Sequence, residues 1–192
     1  MLYTIVTPPA AEPVPVADLK AHLNILHDTE DALIAAFGQV ALEHIETTTG
    51  RALVSRTIDA WFPAWPARGV IELPQPPLVS VTAVYYLDSA GAEQTLASDL
   101  YDVVAEGLIG RIERRDGASW PALAASSKAV RVRYVAGYGA DGAGVPHALR
   151  AAVKLLTEHF YYRRGATSET RADAVPMSVD ALCSPYKTFG WV

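Results

Sequence analysis

Cysteine is almost missing from this 192-residue chain: there is one, Cys183. That excludes an intramolecular disulfide and any zinc site built from several cysteines, and it suggests a chain that does not rely on an oxidising compartment. No apolar run approaches the roughly 20 residues that span a bilayer, so no membrane partner is expected. Positive charge is also in short supply. Sixteen Lys and Arg stand against twenty-one Asp and Glu, a net charge of −5, and the whole-chain field does not favour adhesion to a phosphate backbone. Residues 1–16 hold Pro8, Pro9, Pro13 and Pro15 but no Lys or Arg, so both regions of a signal peptide are missing. The expectation is a soluble protein made in the cytoplasm. G-x-S-x-G and Walker sequences are absent as well.

What the chain does have is a globular composition, 51% hydrophobic and 19% charged, with thirteen Pro and thirteen Gly to make turns. Its length suits a single domain. Residues 1–16 read as an extended arm, since proline removes backbone donors and biases its neighbours away from helix. Residues 17–50 read as two helices. The first covers 17–26, with Leu19 and Leu23 one turn apart. The second covers 30–48, with Asp28 or Thr29 as its cap, Leu33, Phe37, Val40, Ala41 and Ile45 as its buried face, and Gly50 as its stop. At Arg51 the period changes to two, and 51–136 read as a β insertion. Its strands lie at 54–62, 70–73, 79–88, 101–104, 110–114 and 129–136, with a hairpin turn at Asp88–Gly91. Short connections imply mostly antiparallel pairing. Residues 146–164 read as a third helix that opens on Pro146 and buries Leu149, Val153, Leu156 and Phe160. Residues 165–192 form a tail with a short helix at 178–183. The fold class is therefore α+β: a small helical bundle, two helices before and one long helix after an antiparallel β region, with extended termini.

The residues offer little chemistry. Gly137-Tyr138-Gly139-Ala140-Asp141-Gly142 spells G-x-G-x-x-G, but the helix begins too late, the sheet is antiparallel and no crossover strand follows. A glycine-rich turn explains it. His22, His27, His44, His147 and His159 are too scattered for a metal motif, and Asp28, Glu30 and Asp31 lack the loop of a calcium site. Cys183 has no histidine nearby in sequence and reads as a small apolar helix residue. Arg111, Arg114, Arg115, Arg131 and Arg133 gather in the β region, either as a sheet face that makes subunit ion pairs or as a solvated one. No catalytic, cofactor-binding or metal residue is expected, and the chain reads as a non-enzyme.

Five segments in order carry a resemblance: VADLKAHLNILHDTEDALIAAFGQVALEHIETTTGRAL, IELPQPPLVSVTAVYYLDSAGAEQTL, VRVRYVAGYG, VPHALRAAVKLLTEHFYYRRG and VPMSVDALCSPYK. Together they cover about Val14 to Lys187, and their order and spacing resemble the bacteriophage head-tail connector (adaptor) proteins, including those of gene transfer agents. The resemblance implies a structural virion protein at the neck, made in the host cytoplasm: a homo-oligomeric ring of about a dozen copies beneath the portal vertex. It implies the portal protein and a stopper or tail-completion protein as partners, and double-stranded DNA passing through without specific binding. It also implies that the tail reaches the portal, through Met177, Val179, Leu182, Pro185, Tyr186, Phe189 and Trp191. Deleting 177–192 is then expected to leave a folded chain that no longer joins the portal. The alternatives are another neck part, such as a head-completion or tail-terminator protein, or a small enzyme assembled from His27, Asp28 and the loop at Gly137.

Overall fold

A computed structural model describes residues 2–163 and 177–188. Among these, four α-helices and eight strands in two antiparallel sheets make a mixed α+β chain. The strands are β1 (Leu2–Thr7), β2 (Arg56–Phe62), β3 (Val70–Glu72), β4 (Leu78–Leu87), β5 (Glu93–Thr95), β6 (Tyr101–Val104), β7 (Arg111–Arg114) and β8 (Val130–Ala136). The helices are α1 (Val16–Leu23), α2 (Asp31–Thr49), α3 (His147–Tyr162) and α4 (Met177–Cys183). The larger sheet has the order β1-β2-β8-β4-β5 and the smaller β3-β7-β6.

Alternation drives the sheet core. In β8, Val130, Val132, Tyr134 and Ala136 are buried while Arg131, Arg133 and Val135 are not, as a strand with one buried face requires. These four residues join Ile58 and Ala60 of β2, Val84 of β4, Ile71 of β3 and Ile112 of β7, so the apolar faces of the two sheets form one core. The Tyr134 hydroxyl is a polar atom buried inside it. It donates to the Pro74 carbonyl at 2.7 Å, and burial holds its pKa well above the ordinary tyrosine range.

A second core lies among the helices: Leu19 and Leu23 of α1, Ile34, Ala41 and Ile45 of α2, Leu149, Val153 and Leu156 of α3, and Val179 and Cys183 of α4. The buried face of α2 differs from the expected one. Ile34, Gly38, Ala41, Leu42, Ile45 and Thr49 are buried, whereas Val40 is 50% exposed and Leu33 and Phe37 are only half-buried. The face is rotated because Gly38 is a contact point: a Cβ there would stand 2.7 Å from Leu19 Cδ1. Glycine at the closest approach of two helices carries no hydrophobic signal in the sequence. The expected cap of α2 is also displaced. Glu30 occupies the N-cap without a side-chain capping bond, its carboxylate accepting from the Tyr161 hydroxyl instead, and Asp28 turns to Lys20, which also pairs with Asp31 at 2.7 Å. In α3, Phe160 is half-buried and Ala152 and Thr157 complete the inner face; Pro146 stands at the N-cap, one place ahead of the helix it was expected to open.

The N-terminal segment is extended, as its prolines suggest, but residues 2–7 are a strand of the chain's own sheet. Their register runs Leu2↔Trp61, Tyr3↔Ala60, Thr4↔Asp59 and Ile5↔Ile58.

Candidate assembly surface

The glycine-rich segment after β8 shows what its residues do. Gly137 has φ +136°, and a Cβ there would fall 2.4 Å from the Ser55 backbone nitrogen; one on Gly142 would fall 2.2 Å from the Pro13 carbonyl oxygen. Tyr138 N–H donates to Leu53 and Ser55 N–H donates to Gly139. The loop is thus bound to the segment that links α2 to β2. His27 is exposed, Asp28 is paired with Lys20 and Gly137 sits against Ser55, so the residues of the enzyme alternative have separate local duties. Among the described residues no group of three or more His, Cys, Asp or Glu is placed to hold a metal ion. Burial pushes the Cys183 thiol above its ordinary pKa, the opposite of what a nucleophile needs.

The arginines singled out in the β region all have partners within the chain. Asp59, which is 4% exposed, accepts from Arg133 at 2.8 and 2.7 Å and from Arg131 at 3.2 Å, and Arg131 also reaches Glu93 at 2.8 Å. Arg111 pairs with Glu113 and Arg115 with Asp102, while Arg114 donates to the Ala118 carbonyl at 3.0 Å. Four of these five arginines, spread over both sheets, are paired with carboxylates of the chain, and among the described residues Arg114 meets only a carbonyl.

The C-terminal segment is stapled down by residues at the exit of α2. Gly50 ends that helix with φ +68°, and the chain then places Arg51, 7% exposed, beneath the tail. Arg51 Nε donates to the Tyr186 carbonyl at 2.7 Å, and its Nη1 to the Tyr138 hydroxyl at 3.2 Å. The Thr188 amide and hydroxyl both donate to the Thr49 carbonyl at 3.0 Å. A Cβ on Gly50 would come 2.4 Å from the Thr188 hydroxyl oxygen, so glycine there serves both the helix end and the docking. Glu46 completes the corner by pairing with Arg56 and accepting from the Leu53 amide at 2.8 Å.

This docking sorts the seven tail residues. Val179 is buried in the helical core, and Leu182 and Tyr186 pack against it half-buried. Met177 is 88% exposed and Pro185 is exposed. Phe189 and Trp191 lie outside the described residues. Deletion of 177–192 would remove Val179 and Cys183 from the core, so the shortened chain should be less stable than the full one: emptied core sites destabilise by lost burial and by the cavity left behind. Arg51, Thr49 and Thr188 were not expected to matter. The one available signal was a lone arginine set between the helix stop and the apolar Ala52-Leu53-Val54. Replacing Arg51 with alanine should cost about 2 kcal/mol, since two bonds from a charged donor are lost. Urea unfolding measures that loss, and limited proteolysis should show earlier cleavage within 177–188.

No protein-family model matches this chain, and no curated protein matches it either. Solved structures do. Superposed on a chain from the neck of an empty gene transfer agent particle computed with C6 symmetry, it gives a TM-score of 0.83 at 30% identity, covering 100% of this chain and 98% of that one. The chain belongs to the gene transfer agent neck-protein family. The match to a chain from the virion of the native gene transfer agent has a TM-score of 0.82 at 29% identity, and that to the native neck computed with C12 symmetry 0.80 at 30%, each covering 100% of this chain and 98% of the other. Head-tail connectors are thus the right relatives, and this neck protein is a structural component of a phage-like particle. For such a protein the functional site is surface. Its stapled C-terminal segment and its exposed strand β1 are the candidate contact surfaces.

Proposed function

We propose that this protein is the adaptor of its particle: a subunit, present in about a dozen copies, of the ring that joins the portal vertex to the tail or stopper and lines the DNA channel. The supporting observation is the whole-chain likeness to neck structures computed with C6 and C12 symmetry, because cyclic symmetry is that of a closed ring around a central passage. Charge supports the lumen. The chain carries −5, and four of the five arginines of the β region are tied to Asp59, Glu93, Asp102 and Glu113. A surface with few free cations releases few counterions and holds DNA weakly, which lets the duplex slide.

The portal contact falls to the C-terminal segment. Met177 and Pro185 are its exposed members, Leu182 and Tyr186 line its edge, Val179 anchors it from below, and Phe189 and Trp191 extend the same apolar sequence. The test mixes the purified full chain with portal rings of the same particle and reads co-sedimentation and mass. Binding as a complete ring is expected; chains that stay free of the portal overturn the adaptor reading. Because Met177 lies outside the core, Met177→Asp should leave the unfolding midpoint unchanged and reduce portal binding at least tenfold. Binding at the level of the unaltered chain would remove the C-terminal segment from the contact.

A further inference from the structure

A cyclic ring of identical copies needs two different patches on each copy, one fitting the other. The larger sheet supplies a pair. One is the outer edge of β1, six residues with the sequence LYTIVT, all exposed and, among the described residues, paired on one side only, with β2. The other is the first part of β4. β5 covers Tyr85–Leu87, and the Leu96 amide donates to the Val84 carbonyl at 2.8 Å. The stretch Leu78–Ala83 pairs with β8 on one side and, among the described residues, with no strand on the other.

The two edges match in ways that do not depend on each other. Each is six residues long. Neither LYTIVT nor LVSVTA contains a charge or a proline, two of the devices by which sheets block edge pairing; the bulges at Ile5/Thr7 of β1 and at Leu78/Ser80 and Val81/Ala83 of β4 bend the strands without placing charge on either edge. Apolar side chains stand exposed on both, Leu2, Ile5 and Val6 at 45–48% and Val79 at 51%. Strand direction agrees as well. β1 is antiparallel to β2, β2 to β8, and β8 to β4, so β1 runs opposite to β4. Rotation about a ring axis preserves strand direction along that axis. A neighbour's β1 laid against Leu78–Ala83 would therefore continue the antiparallel alternation.

We propose that β1 of each copy adds to the open edge of β4 in the next copy, so that the sheet passes from subunit to subunit around the ring. The occupant of each edge is a second copy of this chain, and the proposal rests on the ring reading above. Main-chain hydrogen bonds between the edges supply affinity, and the exposed Leu2, Ile5, Val6 and Val79 side chains supply register.

The test uses particles assembled with the full-length chain. Thr4→Cys is combined in turn with Val79→Cys, Ser80→Cys and Thr82→Cys, because opposed residues of adjacent strands lie within disulfide range and the native Cys183 is buried. After oxidation, one of the three pairings should give a ladder of covalent oligomers up to the full ring, and no single variant should. Necks that contain the double variants yet give no ladder overturn the proposal, as does a dimer from Thr4→Cys alone, the mark of two-fold β1 pairing. Particles without any ring of this chain overturn the ring reading itself. As a second measurement, Val79→Lys should keep the monomer's unfolding midpoint and lower incorporation into necks at least tenfold. Incorporation equal to that of the unaltered chain would contradict the proposal.

Discussion

Gly137→Ala should destabilise this protein by about 4 kcal/mol, which is a large part of the ordinary stability of a domain. Two effects add. At φ +136° an alanine occupies backbone space that residues with a side chain rarely enter, a strain of about 1–3 kcal/mol. The new methyl would also stand 2.4 Å from the Ser55 nitrogen and 2.5 Å from its Cα, and relieving such a backbone overlap costs a further 1–3 kcal/mol or so. Gly139→Ala has the same kind of backbone conformation but its nearest neighbour lies 3.9 Å away, so it should lose only the strain. Equilibrium urea unfolding of the two variants separates the terms. Equal losses would show that the close approach of β8 to the Leu53–Ser55 segment is not what selects glycine at 137.

The second large effect belongs to Asp59. Its carboxylate lies on β2 between Arg131 and Arg133, and it is nearly inaccessible. Asp59→Ala leaves two guanidinium groups in a partly closed site without their shared partner, and about 3 kcal/mol should be lost, the range for breaking a buried ion pair by removing one member. The same group sets an acid limit. Hydrogen bonds from Arg133 are the largest influence on it; with those from Arg131 they outweigh the opposing effect of burial and hold the folded pKa below the ordinary value of 3.8. A lowered folded pKa gives stability that is fully present above the unfolded value and disappears as pH falls through the folded one. Thermal unfolding of the unaltered protein should therefore weaken as pH drops below about 3.8, and Asp59→Asn should flatten that part of the profile. A variant whose acid dependence matches the unaltered chain would place the titrating group elsewhere.

These residues show which parts of the molecule were legible in the sequence. The alternation of β8 announced a strand with one buried face, and the contrast between Val130, Val132, Tyr134 and their arginine neighbours carried over directly into the sheet. Turn chemistry placed the hairpin at Asp88, whose carboxylate accepts from the Ala90 and Ala92 amides. The inner face of α2 was misread because Gly38 packs against Leu19, and hydropathy assigns no weight to a residue chosen for its small size. Strand β1 was seen only as an extended arm. Its six exposed residues obtain their pairing from β2, about fifty positions away along the chain, and local pattern carries no record of such a partner. The C-terminal docking was hidden for the same reason. Arg51 and Tyr186 are 135 positions apart, and a buried arginine looks in sequence like any charged residue after a helix. Recognition of the family rested instead on the order of several segments, which survives although each is unremarkable by itself.

The central claim is that this chain forms a closed ring at the junction of head and tail. Electron microscopy of particle necks assembled with a chain bearing a small C-terminal label tests it most directly. The account predicts label density repeated with cyclic symmetry in one ring directly beneath the portal. Label on the tail, or a neck ring that carries none, would contradict it.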